Sequence, residues 1–307
     1  MEHEIIDWIK SVCDVECEFV QLGIGDDAAI LNTSQPTVIT TDVIAEGTHF
    51  DLDQLGLSQV GRKAMAVNLS DLAAMGARPT AALVTLQLPN HFSLDQVKLL
   101  FRGLQEFSSQ YEFPIVGGDT NRWTGPLVVG VALLGTPFSN PDAATRLWTM
   151  SGGNPDDAIF VSGCFGGSLL HHHCHFEPQI QLAEHLALHH PITAATDASD
   201  SLALDLAHLA HASKTGFEID SRLIPIAPDA VKRSEITGIS ALHHALYDGE
   251  DFQLICSVPA GCVELLEQDT RLPVSFTRIG RLTEKADFIM IDAQGVAETL
   301  EIRGYQH

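Results

Sequence analysis

The chain has 307 residues, of which 45% are hydrophobic and 19% are charged, and its formal net charge is −23 at pH 7. This apolar content is sufficient for a packed core and excludes a disordered acidic chain, and the length predicts two domains or one large one. The acidity argues against unaided binding to nucleic acid or to an anionic membrane, because phosphate groups would be repelled. A phosphate-bearing substrate held through divalent cations is still compatible with it.

Cysteine usage and hydropathy predict the compartment. The six cysteines include no Cys-x-x-Cys pair and are too sparse for a disulfide scaffold, which favours reduced thiols. The first residues, Met1 to Glu4, are acidic where an export signal would be basic, and no apolar run approaches the roughly 18 residues of a membrane span. We therefore expect a cytoplasmic protein without a membrane segment.

The predicted elements alternate between strands and helices through residue 137. Strand patterns cover Val38–Thr41 (ending at Asp42), Ala82–Leu88, Ile115–Val116 and Leu127–Leu134, and helix patterns cover Ser58–Met75 and Leu94–Gln110. The turn-rich stretch Ser139–Asp157 predicts a domain boundary. Beyond it, strands are predicted at Ala158–Ser162 and Phe252–Val258, and helices at Gln179–Leu188 and Leu202–Ala212. The sequence thus predicts a two-domain α+β protein, with domains at residues 1–137 and 138–307.

Acidic residues recur beside glycines and apolar strands, where the backbone can approach a ligand closely. They are Asp26, Asp27, Asp42, Asp71, Asp119, Asp197, Asp200, Glu250 and Asp251. Mg²⁺ prefers oxygen ligands and is often bound together with phosphates, so the set predicts a nucleotide site with several Mg²⁺ ions. Ordinary turn aspartates are the alternative interpretation.

Asp71 strengthens the metal interpretation. In the predicted helix, Asn68 and Asp71 share a stripe with Val60, Ala64 and Val67, at spacings of three and four residues. A carboxylate on a core-facing stripe must be paired or bind a metal, because burying it alone is costly. A local hydrogen bond to a helix cap or an arginine is the alternative.

The common nucleotide motifs are absent from the sequence. It contains no G-x-x-x-x-G-K-[ST] phosphate loop, no G-x-G-x-x-G and no protein-kinase Asp-Phe-Gly. Reasoning from the residues alone therefore ends at metal-dependent phosphate chemistry in an acidic α+β enzyme.

Three longer segments resemble the thiamine-monophosphate kinase family of the aminoimidazole ribonucleotide synthetase superfamily: Gly23–Ala29, Thr40–Asp42 followed by Gly47–Phe50, and Lys63–Ala77. Gly117-Gly118-Asp119-Thr120 and Gly249-Glu250-Asp251 follow in the same order. The resemblance implies an N-terminal α/β domain for ATP, Mg²⁺ and dimerisation, whose sheet pairs with its twin across a homodimer, and a C-terminal α+β domain that completes the nucleotide and substrate site. It also implies direct in-line transfer of the ATP γ-phosphoryl group to thiamine monophosphate, giving thiamine diphosphate.

The resemblance also implies roles for individual residues. The metal ligands would be Asp27, Thr40, Thr41, Asp42, Asp71, Asp119, Asp197 and Asp200, of which Asp42, Asp71 and Asp119 are the expected catalytic residues. Gly118, Arg146 and Ser199 match nucleotide contacts, and His49, Glu250 and Tyr305 match positions that face the thiamine phosphate. The acceptor is already a phosphate nucleophile, so alignment and charge neutralisation would supply the rate without a strong base.

Three departures from the family pattern lie in the C-terminal half. Ser201 replaces a glycine, which predicts strain if the position needs a positive φ; Gln179 replaces an arginine; and the segment after Arg146 carries extra residues before its glycines. These changes bear on the acceptor and on catalytic efficiency more than on metal binding.

Alternative functions follow from these departures. The chain could be another ATP-dependent enzyme of the superfamily with a different acceptor, or a nucleotide-binding descendant with little turnover. Selenophosphate synthetase would need a reactive cysteine with a nearby lysine in a glycine-rich segment, which Cys13 and Cys17 lack, and the hydrogenase-maturation relative would need a C-terminal cysteine tail in place of residues 304–307.

Histidines are concentrated in one part of the sequence: nine of the fifteen fall between residues 171 and 211. The tract at residues 171–175 suggests a Zn²⁺ or Ni²⁺ site. A polar loop or helix end is the favoured interpretation, since adjacent histidines cannot all face one ion.

Overall fold

The computed structural model describes residues 20–22, 30–31, 33, 36–138, 147–170 and 172–304. The chain divides into two compact units, the first comprising Met1–Leu72 and Arg78–Pro137 and the second Ala73–Ala77 and Phe138–His307. Both units combine helices with a β-sheet, which confirms the predicted α+β class. No helix in the described ranges combines the length and the apolar character that a membrane crossing requires.

The first unit contains a four-stranded sheet. Strands β1 (Val20–Leu22) and β2 (Ile30–Leu31) form a separate antiparallel pair, and the sheet consists of β3 (Val38–Ala45), β4 (Ala77–Pro89), β5 (Ile115–Trp123) and β6 (Val128–Pro137). Its order is β3-β6-β4-β5, with β3 antiparallel to β6 and β4 parallel to β5. Strands β3 and β5 are therefore the two edges.

In the described part of this unit, two helices cover one face of the sheet, α1 (Leu57–Ala74) and α2 (Leu94–Gln110). Helix α2 begins with a capping box in which the Ser93 and Gln96 side chains each accept a hydrogen bond from the other residue's backbone N–H. The backbones of the two helices are in contact at two glycines, where no side chain would fit. A Cβ added at Gly61 would lie 2.0 Å from the Leu100 carbonyl oxygen, and a Cβ added at Gly103 would lie 1.8 Å from the Ser58 carbonyl oxygen.

The opposite face of the sheet carries exposed apolar side chains. Along β3 the exposure alternates, as expected for a strand with one covered face. Ile39 is 68% exposed and Val43 is 57% exposed, and Leu83 of β4 is also exposed. We call the face that carries these three side chains the open face of the sheet.

The second unit is built on a seven-stranded sheet. Its strands are β7 (Ala158–Ser162), β8 (Ala194–Asp197), β9 (Gly216–Asp220), β10 (Leu254–Val258), β11 (Phe276–Thr283), β12 (Phe288–Ile291) and β13 (Ala297–Thr299). The order is β13-β12-β9-β11-β7-β10-β8. Strands β7, β8 and β10 are buried at every position, so this end of the sheet lies inside the unit.

Among the described residues, six helices accompany the second sheet: α3 (His172–His175), α4 (Ile180–His189), α5 (Leu202–Ala212), α6 (Pro228–Thr237), α7 (Ala241–Tyr247) and α8 (Val263–Glu267). Short 3₁₀ turns occur at Ser168–Leu170 and Ala260–Cys262. Helix α5 supplies much of the core, in which Leu202, Leu206 and Leu209 pack with Phe217 and Ile255.

Two strands extend beyond their predicted ends. Asp42 was expected to end its strand, but β3 continues to Ala45 because Val43, Ile44 and Ala45 go on pairing with β6. The short strand expected at residues 115–116 continues through Gly118 and Asp119 to residue 123. Both carboxylates therefore lie inside strands, where their side-chain directions are fixed by the pleat.

Candidate functional site

The first group of predicted site residues joins β3 to α1. The Thr40 hydroxyl donates a hydrogen bond to Oδ2 of Asp71. Two residues along the strand, the backbone N–H of Asp42 donates to Oδ1 of Asn68 at 3.1 Å, and the Asn68 amide donates to the Ala64 carbonyl at 3.0 Å. Asn68 is fully buried and Asp71 is half-buried. The helix stripe predicted from the sequence thus presents Asp71 toward Thr40.

Thr41 lies on the other face of the sheet. Successive strand residues point to opposite faces, so Thr41 shares the open face with Ile39 and Val43. Its hydroxyl donates to the Val131 carbonyl at 3.0 Å. The structure therefore does not bring the Thr41 hydroxyl together with Thr40 and Asp71.

Asp119 occupies the opposite edge of the same sheet. It pairs with Thr85 across β4 and β5, and its exposed carboxylate accepts a hydrogen bond from the Asn121 amide at 2.6 Å. Three strand spacings of about 4.8 Å separate β3 from β5, so the Asp42 and Asp119 backbones are about 14 Å apart across the sheet. Within one chain, Asp119 is not adjacent to Asp71.

Gly118 permits this course of β5. A Cβ at this position would lie 1.8 Å from the carbonyl oxygen of Val84 on the neighbouring strand, and the residue has φ +152°. Any side chain would push β5 away from β4. Gly118 is therefore required by the close approach of two backbones directly before Asp119.

His49 is held by two backbone contacts after β3. Its Nδ1 accepts a hydrogen bond from the Ala45 N–H at 3.1 Å, which leaves the ring proton on Nε2. The buried Lys63 ammonium donates to the His49 carbonyl oxygen at 2.8 Å. The sequence motif contains Lys63, but its role in fixing His49 required the tertiary structure.

The second group of site residues surrounds the end of β8 in the other unit. Asp197 is the last residue of β8 and is 8% exposed. The loop that follows pairs with the loop before β10: the Glu250 N–H donates to the Ser199 carbonyl at 2.7 Å, and the Phe252 N–H donates to that of Ala198 at 2.8 Å. Two segments about 50 residues apart in the sequence thus form one backbone scaffold.

The loop before β10 contains several residues with a left-handed backbone conformation. Gly249, Glu250 and Phe252 all have positive φ, at +73°, +52° and +50°. Side chains tolerate this region poorly, so the surrounding contacts must hold the loop in place. The Glu250 carboxylate lies 3.4 Å from Nδ1 of His173 and is partly exposed.

Asp205 organises the Asp200 loop and was missed by sequence reasoning. Its carboxylate accepts the backbone N–H groups of Asp200 and Ser201 at 2.9 and 3.0 Å. Burial, together with the charges of Asp197 and Asp200, raises the pKa of Asp205 to about 7, and its two backbone hydrogen bonds oppose the shift. The only sign of this role in the sequence is that Asp205 lies in the first turn of the predicted helix, where an acidic side chain is favourable.

Ser201 causes no backbone strain. Its φ of 167° is an extended conformation that any residue adopts, so the strain expected from replacing a glycine is absent. Its hydroxyl caps α5 by accepting the Leu204 N–H at 3.1 Å, and it donates to the Arg303 carbonyl at 2.8 Å. Serine is a favourable residue for this position.

Gln179, which stands where the family has an arginine, is buried. Its amide donates to the Glu177 carbonyl and to Oε1 of Gln253, both at 3.2 Å. Oε1 of Gln253 also accepts from the Ser162 hydroxyl at 2.8 Å. This neutral network satisfies the buried amide without a counterion.

Three predicted site residues, Asp27, Arg146 and Tyr305, lie outside the described residues, as do Asp26 and His171. The described residues fall into two groups by unit. The first unit holds Thr40, Thr41, Asp42, His49, Asp71, Gly118 and Asp119, and the second holds Asp197, Ser199, Asp200 and Glu250.

Comparisons with known proteins identify the relatives of this chain. Residues 25–136 match the family described as AIR synthase related protein, N-terminal domain. The chain is 37% identical over 298 residues to thiamine-monophosphate kinase of Rhodopirellula baltica, covering 94% of this chain and 92% of the relative.

Solved structures give the same fold. The structure described as AaThiL complexed with AMPPCP and TMP is 28% identical and superposes with a TM-score of 0.76, covering all of this chain and 96% of its own. The Escherichia coli hydrogenase maturation protein HypE superposes with a TM-score of 0.80 and covers 98% and 97% of the two chains. HypE is only 19% identical, so that likeness concerns the fold alone.

Proposed function

This chain belongs to the thiamine-monophosphate kinase family, and we infer that it transfers the γ-phosphoryl group of ATP to thiamine monophosphate, forming thiamine diphosphate and ADP. The observation that carries this inference is the identity to named kinases along nearly the whole of both chains. HypE shares the fold at a comparable TM-score, so the fold alone would not distinguish a thiamine-monophosphate kinase from a hydrogenase maturation protein.

The carboxylate and hydroxyl oxygens of the first unit are ligands of the kind that Mg²⁺ prefers. Asp71 and Thr40 meet across β3 and α1, and Asp42 lies two residues further along the strand. Carboxylates and hydroxyls are hard oxygen ligands, and Mg²⁺ commonly completes its coordination with phosphate oxygens and water. When bound, Mg²⁺ would neutralise charge on the phosphates of ATP.

Asp197 and Asp200 would bind further Mg²⁺ in the second unit, with Ser199 contacting the nucleotide. The cross-loop hydrogen bonds to residues 198–199 fix the backbone between the two acids. Asp205 would orient Asp200 through its backbone N–H. Glu250 and His49 would face thiamine monophosphate, together with Tyr305, while Asp27 and Arg146 would complete the metal and nucleotide contacts.

The proposed homodimer follows from the open face of the first sheet. Ile39, Val43 and Leu83 expose apolar surface on this face, which a second copy would cover. If β3 of one copy pairs edge to edge with β5 of the other around these open faces, Asp119 of the second copy approaches the β3 edge that carries Asp42 of the first. This arrangement accounts for predicted metal ligands on opposite edges of one sheet.

A cytoplasmic location remains a prediction.

A direct assay tests the proposed activity. Purified protein incubated with ATP, Mg²⁺ and thiamine monophosphate should form thiamine diphosphate and ADP in equal amounts, with no product when EDTA is present. ADP formation that does not require thiamine monophosphate would point to a different acceptor. ATP binding without any product would support a descendant that has lost turnover.

A further inference from the structure

A compact cluster of two histidines and one aspartate lies in the second unit, apart from the residues assigned above. His185 belongs to the second half of α4, His190 follows the helix directly, and Asp269 follows α8. Nε2 of His185 and Nε2 of His190 lie 2.8 and 2.9 Å from Oδ2 of Asp269. One potential ligand atom from each residue lies within 4.8 Å of the other two.

The cluster is sheltered from solvent. The side chains of His190 and Asp269 are 2% and 5% exposed, and that of His185 is 14% exposed. Buried polar groups of this kind are normally either fully hydrogen-bonded or bound to a metal. Nδ1 of His190 has no hydrogen-bond partner among the described residues. The His190 ring therefore relies on Nε2 for its polar contact.

The carboxylate of Asp269 is crowded and ionised. Arg271 donates from Nε to Oδ1 at 2.9 Å and from Nη2 to Oδ2 at 2.8 Å, so Oδ2 faces three nitrogen atoms. A carboxylate oxygen has about two lone-pair directions. The Arg271 hydrogen bond, assisted by the two histidines, holds the pKa of Asp269 below its usual range.

We propose that His185, His190 and Asp269 form a Zn²⁺-binding site that links the end of α4 to the segment after α8. Two imidazole nitrogens and one carboxylate oxygen are a common three-ligand set for Zn²⁺, with water in the fourth position. His189 has its ring 4.7 Å from that of His185 and is the alternative fourth ligand.

At the two His–Asp contacts, Zn²⁺ binding requires small movements only. Tetrahedral Zn²⁺ with bonds of about 2.0–2.1 Å separates its ligand atoms by about 3.4 Å. The two His–Asp contacts would lengthen by about 0.5 Å. Arg271 is 63% exposed and can turn away from Oδ2 into solvent.

This site differs in chemistry from the proposed Mg²⁺ positions. Imidazole nitrogen favours Zn²⁺ and later transition metals, whereas Mg²⁺ selects oxygen ligands. Millimolar Mg²⁺ should therefore leave Zn²⁺ binding unchanged.

Calorimetric titration of the untagged full-length protein with ZnCl₂, in buffer containing Mg²⁺, tests the proposal. We expect one Zn²⁺ per chain and a higher melting temperature of the Zn²⁺-bound protein. His190→Ala and Asp269→Asn should weaken binding by at least about 100-fold, more than the loss of an outer-shell partner usually causes. Arg271→Ala, which alters only an exposed side chain, should bind Zn²⁺ at least as tightly as the unaltered protein.

His175→Ala is the matched control, because His175 belongs to the separate histidine tract and is exposed. Zn²⁺ binding that survives Asp269→Asn and is lost in His175→Ala would overturn the proposal in favour of that tract. The absence of stoichiometric binding to the unaltered protein would also overturn it. If His190→Ala fails to fold by circular dichroism, Asp269→Asn and Arg271→Ala still decide the question, since the amide introduced by Asp269→Asn retains an acceptor oxygen for the histidines.

Discussion

The Thr40 hydroxyl on β3 donates a hydrogen bond to the Asp71 carboxylate on α1, joining two segments 31 residues apart. Asp71→Asn retains an oxygen that can accept this hydrogen bond but removes the negative charge. We expect the variant to fold with an unchanged melting temperature and to lose at least about 100-fold in kcat, because charge neutralisation at the phosphates is the main catalytic contribution. Steady-state kinetics and circular dichroism measure both effects. Asp53→Asn, at an exposed loop position, is the control and should retain full activity.

Mixed dimers test whether two copies share one site. Asp71→Asn and Asp119→Asn should each be inactive alone. If each site takes Asp71 from one copy and Asp119 from the other, a mixed dimer contains one intact site and one doubly altered site. Random exchange of the two inactive variants should then restore about a quarter of the unaltered activity. No recovery in verified mixed dimers would place both carboxylates of a site in one chain.

Gly118→Ala should destabilise the first unit. The added methyl group would lie 1.8 Å from the Val84 carbonyl oxygen, and backbone on a paired strand cannot move aside easily. We expect a loss of about 3 kcal/mol or more in the free energy of unfolding, measured by urea denaturation. At Gly117 the nearest atom is Cδ2 of the Leu83 side chain at 3.2 Å, which can shift. Gly117→Ala should therefore cost less than about 1 kcal/mol, and equal losses in the two variants would refute the backbone argument.

Ser201→Gly restores the residue of the family pattern and tests whether serine slows turnover. Because Ser201 has an extended φ of 167°, glycine offers no relief of strain, and we expect kcat to change by less than about threefold. Stability should fall by about 1 kcal/mol, since the Arg303 carbonyl loses its hydrogen-bond donor. A tenfold rise in kcat would show that serine does limit the reaction.

Asp251 should make stability depend on pH. Burial raises the pKa of this carboxyl well above its usual range, and the Asp248 and Glu250 charges raise it further. Oδ1 accepts the Gly166 N–H at 2.8 Å, while Oδ2 is buried without a partner in the described part of the chain. The folded state thus binds its proton more tightly than the unfolded state, so stability from this group falls as the pH rises above about 4.

Asp251→Asn keeps an acceptor for the Gly166 N–H and cannot ionise. Its free energy of unfolding should exceed that of the unaltered protein at pH 8, and the gap should narrow as the pH is lowered toward about 4. Urea denaturation across this pH range measures the gap. A difference that is constant with pH would mean that Asp251 does not titrate as burial predicts.

The helices were the most predictable elements because their signals are local. Leu94–Gln110 and Leu202–Ala212 match the observed helices at both ends, since apolar periodicity coincides with the Ser93 capping box and the Ser201 cap. Strand β5 was underestimated because glycines at 117 and 118 disfavour a strand in isolation. In the folded chain Gly118 is tolerated because the neighbouring backbone lies too close for a side chain.

The acids of the candidate site were identifiable in the sequence, but their arrangement was not. That Thr41 and Asp42 point to opposite faces becomes evident only when the strand is known to continue through both. His185, His190 and Asp269 are separated by up to 84 residues, and no periodicity relates them. Their proximity depends on how the end of α4 packs against the segment after α8, which is a tertiary property.

The contact between the α1 and α2 backbones at Gly61 and Gly103 has a consequence for ligand binding. Helices that touch without intervening side chains have little freedom to slide or to rotate against each other. Asn68 and Asp71 are therefore presented to β3 in one arrangement before any phosphate arrives. Little binding energy is then used in ordering this part of the protein, and more remains for stabilising the transition state.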